Sequence, residues 1–182
     1  EPDVTVFNES SADIDFRVES DDNVNMLFVD GGEDKVGIGT GSPQHFLDAY
    51  TSSAGAAVDF RIGNSESSNA ASGARSIVQA NGASAGDPRF VLSITGVTEY
   101  NLGIDNSDGD KFKLNSGSDP SAGTNFLTVD AGAVVVNEGS ADIDFRVESN
   151  GNANMLFVDG GSDHVNIGTA TDLGGVLNVE GQ

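Results

Sequence analysis

The chain has 182 residues, with 24 glycines, 4 prolines, no cysteine and no tryptophan. Acidic residues outnumber basic ones 29 to 8, a formal net charge of −21. These figures exclude a disulfide framework, a thiolate zinc site and a cysteine nucleophile. No apolar run approaches the roughly 18–20 residues of a membrane helix, and so negative a surface repels nucleic acid and anionic membranes.

Residues Glu1-Pro2-Asp3-Val4 carry neither an initiator methionine nor an apolar stretch, so the expectation is a segment of a longer chain or a processed one. A hydrophobic content of 37% with high acidity also describes disordered chains. Periodicity decides against disorder: Ile14, Phe16 and Val18 alternate with Asp13, Asp15, Arg17 and Glu19, the period-two pattern of a half-buried strand.

In chain order the pattern predicts strands at about 13–19, 25–30 and 35–39, separated by turns at Ser20-Asp21-Asp22-Asn23 and Asp30-Gly31-Gly32-Glu33. Pro43 to Tyr50 suits either a helical turn or a strand. Its likeness to Val176-Leu177-Asn178-Val179 favours the strand. After the small residues 51–57, strand patterns recur at 57–63, 75–80, 89–95, 98–105, 110–115 and 125–130. Ser/Gly/Asn-rich loops fall at 64–74 and 115–124. Strands at 142–148, 154–159 and 164–168 follow, and the run 176–181 reads as the entry to another segment. No amphipathic helical period persists over ten residues, so the predicted class is all-β.

An internal repeat organises this list. Val6 to Thr40 returns as Val135 to Thr169, shifted by 129 residues; eight of 35 aligned positions differ, which leaves 27 identical. Asp21 and Asp22 become Asn150 and Gly151, Glu33 becomes Ser162, Lys35 becomes His164 and Gly37 becomes Asn166. Ile14/Ile143, Phe16/Phe145, Val18/Val147, Leu27/Leu156, Phe28/Phe157 and Val29/Val158 are kept, and Phe16 and Phe145 are expected in the core. A unit that keeps apolar residues and varies its turns behaves as a scaffold. Three short strands bury too little surface alone, so the unit must stack on a neighbouring segment or on other copies. The predicted organisation is a repeat module at 1–50, a central β domain at 51–132 and a second module at 133–182.

Three stretches resemble a known class. Val36 to Thr40, followed by Ser42-Pro43 and the strand Phe46 to Tyr50, resembles repeats of bacteriophage tail fibres. Residues 137–161 are similar to modules of marine phage fibres and other virion structural proteins, and Tyr100 to Leu114 resembles a segment of fibre knobs. Related sequences occur in bacterial surface proteins and capsid decoration proteins. The resemblance implies an elongated homotrimeric fibre, β-prism or β-helix-like, with a sandwich-like or knob centre. It implies a place on the virion as an extracellular appendage, contacts with other virion proteins, and attachment to a host glycan or protein. The alternatives are a head fibre or capsid decoration protein, a bacterial adhesin or filament, and a glycan-cleaving tailspike.

The residues support no chemistry of their own. Among 29 acids, paired carboxylates arise by chance, and with Tyr50 and Tyr100 the only tyrosines there is little surface for sugar stacking. Asp105-Asn106-Ser107-Asp108-Gly109-Asp110 offers oxygen ligands for calcium but departs from the EF-hand order, and Asp30 to Asp34 fails the nonapeptide pattern; β-turns explain both. The histidines His45 and His164 form no triad, and Gly37-Ile38-Gly39-Thr40-Gly41 lacks the lysine of a phosphate loop. Arg17 and Arg146 are the expected partners of carboxylates on their own strand face. No catalytic, cofactor-binding or metal-ligating residue is assigned, and the expectation is a non-enzyme without cofactors.

Overall fold

The computed structural model describes residues 5–179; Glu1 to Val4 and Glu180 to Gln182 lie outside the described residues. Over the described residues the protein is all-β, built from three open sheets with one short 3-10 turn, and none of these sheets closes. It divides into two compact units, one ending at Arg75 and the other beginning at Ser76.

The first unit holds one four-stranded sheet of β1 (Phe16–Val18), β2 (Leu27–Asp30), β3 (Lys35–Ile38) and β4 (Leu47–Ala49), in that order. β1, β2 and β3 form an antiparallel meander, and β4 joins β3 in parallel. Pro43 to Tyr50 thus resolves as a strand. Phe46 C=O accepts from Val36 N–H at 2.8 Å, and Ile38 C=O accepts from Tyr50 N–H at 3.0 Å.

β1 is shorter than the predicted 13–19, for a reason visible at the β2–β3 turn. Residues 13–15 leave the ladder and cross that turn, where Asp15 Oδ1 accepts Gly31 N–H at 3.1 Å. A Cβ on Gly31 would lie 2.6 Å from the Ile14 carbonyl oxygen, and the second copy repeats the contact at Gly160, 2.5 Å from Ile143 O. Asp30 and Asp159 cap the same turns by accepting the next two N–H groups but one. The acids kept between the copies therefore build turns. Gly160→Ala is expected to cost about 1–3 kcal/mol, because the atom it meets is backbone and cannot rotate away; a lowered unfolding midpoint in denaturant checks this.

The second unit begins with a five-stranded antiparallel sheet, ordered as in the chain: β5 (Arg89–Ile94), β6 (Thr98–Asp105), β7 (Lys111–Ser116), β8 (Asn125–Val129) and β9 (Val134–Val136). The central sheet thus runs past residue 132. A four-stranded sheet follows, of β10 (Phe145–Val147), β11 (Leu156–Asp159), β12 (His164–Ile167) and β13 (Leu177–Val179), with the pairing and direction of the first module.

Two predicted strands are absent. Residues 57–63 and 75–80 carry the alternation but are exposed coil. A strand is stabilised by its ladder partner, and neither segment has one here.

Candidate functional site: an uncovered apolar face

Strand alternation gives each sheet two faces, and in this protein they are inverted relative to a usual core. Among the described residues Phe28 is the only large hydrophobic side chain that is buried, whereas Asn101, Asn115, Thr128, Asp105 and Lys113 are buried within a few per cent of completely.

In the five-stranded sheet, register places Phe90 of β5 beside Leu102 of β6 and Leu92 beside Tyr100, with Ile94, opposite Thr98, and Ile104 on the same face. The same face continues through Phe112 and Leu114 of β7, Leu127 and Val129 of β8, and Val134 and Val136 of β9. A bulge at Leu114/Asn115 brings Phe126 to Tyr100, with ring centroids 6.0 Å apart. The face is apolar from edge to edge and open: Phe90 is 51% exposed, Leu92 69% and Val134 68%. Burying such a side chain stabilises by about 1.5–3 kcal/mol. Leaving a continuous row of them in water marks an interaction surface.

The opposite face is polar and sealed by the sheet's own loops. Asn101 Nδ2 donates to Gly117 C=O, Asn115 Nδ2 donates to Asp119 C=O at 2.8 Å, and Arg89 pairs with Asp119 at 3.3 Å. At one end Asp105 caps the 3-10 turn Asn106–Asp108, its Oδ1 accepting the N–H groups of Ser107 at 3.0 Å and Asp108 at 3.1 Å. Its Oδ2 accepts from Lys113 Nζ at 2.7 Å, and Lys113 also reaches Asp108 at 2.9 Å. Lys111 lies 3.2 Å from Asp108 and 3.5 Å from Glu138.

Burial would raise the Asp105 carboxyl, but the hydrogen bonds from Lys113 and Ser107 outweigh it and hold it below the usual carboxylate range. Burial likewise opposes the Lys113 charge, and its two carboxylates more than compensate, so the ammonium is held above its ordinary range. Asp108 is lowered by its hydrogen bonds from Lys113 and Lys111. The acidic turn 105–110 is thus served by two ammonium groups, an arrangement of turn and ion pairs. Among the described residues no three His, Asp or Glu side chains converge as a metal site.

The modules repeat the two-faced design. Phe16, Val29, Val36 and Leu47 align across one face, as Phe145, Val158, Val165 and Leu177 do in the second copy. Phe16 and Phe145 are therefore not enclosed within the chain: Phe145 is exposed and Phe16 half-buried, stacked on Phe7 at 5.0 Å between centroids. On the other face Asn178 Nδ2 donates to Asn166 Oδ1 at 2.7 Å, both buried.

Arg17 and Arg146 pair with Glu19 at 2.5 Å and Glu148 at 2.6 Å; each pair is about half exposed and worth little energetically. His45 is exposed in the β3–β4 link, and His164 Nδ1 lies 3.2 Å from Asp172. Gly37 to Gly41 forms the end of β3 and the following turn, where Gly39, like Gly168 in the second copy, adopts positive φ (81° and 83°). Sequence reasoning missed Lys113, although a lysine alternating in step with buried Asn115 and Gly103 is a signal of the polar face. No protein-family model and no curated protein matches this chain at a significant level.

Proposed function

We propose that the chain is a virion structural protein, a segment of a homotrimeric phage tail fibre that builds the shaft and contributes to host-surface attachment. The observation that carries this reading is the apolar face left largely open on every sheet, only partly flanked by residues 5–7 in the first module and by 76–78 beside the five-stranded sheet. A chain with one buried large hydrophobic residue among those described, and three apolar faces, needs other chains to complete its core. The fibre resemblance of residues 36–50, 100–114 and 137–161 supplies the class of partner: further copies of the same chain. In such an assembly the apolar faces turn toward a common axis, in the manner of a β-prism. The net charge of −21 per chain stays at the outside, where water screens it. The loops that seal the polar face then look outward, toward neighbouring virion proteins or a host glycan or protein.

Sedimentation equilibrium of the chain is expected to give about three times 18.6 kDa. A stable monomer sinks the fibre reading. Virion microscopy with a labelled chain is expected to place it on the tail; label on the head assigns it to a head fibre or capsid decoration instead. Release of reducing ends from host glycans would replace the structural role with a hydrolytic one.

A further inference from the structure

The open edge of the five-stranded sheet carries a second message. Ile104 N–H donates to Pro88 C=O at 3.1 Å, so by antiparallel alternation residues 88, 90, 92 and 94 spend their backbone groups on β6. The N–H and C=O groups of Arg89, Val91 and Ser93 point away from the sheet. Exposed edges are normally blunted by a lysine, a proline, a bulge or a covering segment. β5 contains no lysine or proline, pairs with β6 without a register shift, and is exposed from Phe90 to Ile94.

The missing complement lies in the sequence. Ala57-Val58-Asp59-Phe60-Arg61-Ile62-Gly63 alternates as a strand does, yet it pairs with nothing and Phe60 is 85% exposed. We propose that segment 57–63 of one copy adds as a parallel strand to the β5 edge of a neighbouring copy. This rests on the self-association proposed above and names the strand that locks it.

The charges choose the direction. In parallel, with Phe60 beside Phe90 and Ile62 beside Leu92, Asp59 falls opposite Arg89. That guanidinium holds Asp119 at 3.3 Å and stays about a third exposed, so a second carboxylate can approach it. Arg61 falls opposite Val91, on the face that carries Ser93, whose hydroxyl donates to Glu99 of β6 at 3.1 Å. The antiparallel register of equal overlap instead sets Asp59 opposite Ser93, where β5 offers it no opposite charge, and opposite-charge pairs across strands are the ones that stabilise. In the parallel arrangement Val58, Phe60 and Ile62 extend the apolar face by one strand.

The absence of cysteine allows a direct test. Full-length chains carrying Phe60→Cys are co-expressed with size-tagged chains carrying Phe90→Cys and then oxidised. The expected product is a disulfide-linked species of one tagged and one untagged chain, absent when either variant is expressed alone. A trimeric assembly that yields no mixed species overturns the strand addition while leaving the fibre reading intact. A monomer removes both. A bond formed only within one chain carrying both cysteines also overturns it, since the edge is then filled by the chain's own segment. Should the cysteine variants not assemble, charge reversal decides. Asp59→Arg and Arg89→Asp are each expected to weaken the assembly, and the pair together to restore it; no restoration counts against the register.

Discussion

A glutamate in place of Leu102 is expected to leave each chain folded and to abolish its association. Leu102 lies in the middle strand row of the five-stranded sheet, between Phe90 and Leu114, and is 41% exposed in the single chain. A carboxylate there meets water, so the isolated sheet tolerates it. In the proposed assembly the same carboxylate would be desolvated among apolar side chains, and its counterparts on other copies would bring like charge to the same axis. Loss of the leucine's burial forfeits about 1.5–3 kcal/mol per chain, and desolvating an unpaired charge costs several more. Sedimentation should find single chains with an unchanged far-ultraviolet β spectrum. Ser118→Glu, in an exposed loop on the sealed side, should keep the parent mass. A Leu102→Glu protein that sediments like the parent would show that the apolar face is not the contact surface.

The second large effect is internal. Lys113→Met leaves the Asp105 carboxylate buried without its ammonium, and breaking a buried pair from one side costs about 3–5 kcal/mol. Chemical denaturation of the two single variants and of Lys113→Met with Asp105→Asn measures this. The double variant should recover much of the loss, because no uncompensated charge remains.

The pH response follows from the same group. Asp105 and Asp108 titrate below their unfolded range, so their contribution is full above the ordinary carboxylate range and is lost as acid reaches the depressed folded values, below about pH 4. Lys113 is raised, so its contribution holds through neutral pH and fades only above the ordinary lysine range. Removing Lys113 weakens the acid limb, since burial of the Asp105 carboxyl is then opposed only by its hydrogen bonds from Ser107. A parent protein that loses stability below about pH 4 and a Lys113→Met variant that loses less over the same range would be the matching pair of results.

The fold class, the duplication and most strand positions were legible because alternation and turn residues are local signals. What was not legible was pairing. Val135 and Val136 belong to β9 because β8 lies beside them. Their counterparts in the first copy, Val6 and Phe7, lie outside any strand and are exposed. The Asn8 and Asn137 turns that follow are nevertheless the same, with φ of 63° and 64°. Local conformation repeats with the sequence, and strand formation repeats only where a partner exists. The same reasoning covers 57–63 and 75–80.

The apolar faces were also misjudged from sequence, where kept phenylalanines read as core. Alternation names the residues on a face but not which face is enclosed. Here the enclosure was decided by polar loops reaching over Asn101 and Asn115.

The duplicated modules carry a consequence for assembly order. Their apolar faces are chemically alike, Phe16, Val18, Leu27 and Val29 against Phe145, Val147, Leu156 and Val158, while the change of Gly37 to Asn166 lies on the reverse side. In the proposed assembly the two modules would therefore compete for the same contacts, and chains could join out of step, first module against second, with Phe7 over Phe16 the main difference between the two faces. The five-stranded sheet occurs once, has no counterpart to confuse it with, and penalises every staggered alignment by leaving its face in water. In the proposed assembly it would be the key that brings the chains into step, and association that starts there would avoid the open-ended polymers that two similar apolar faces could otherwise seed.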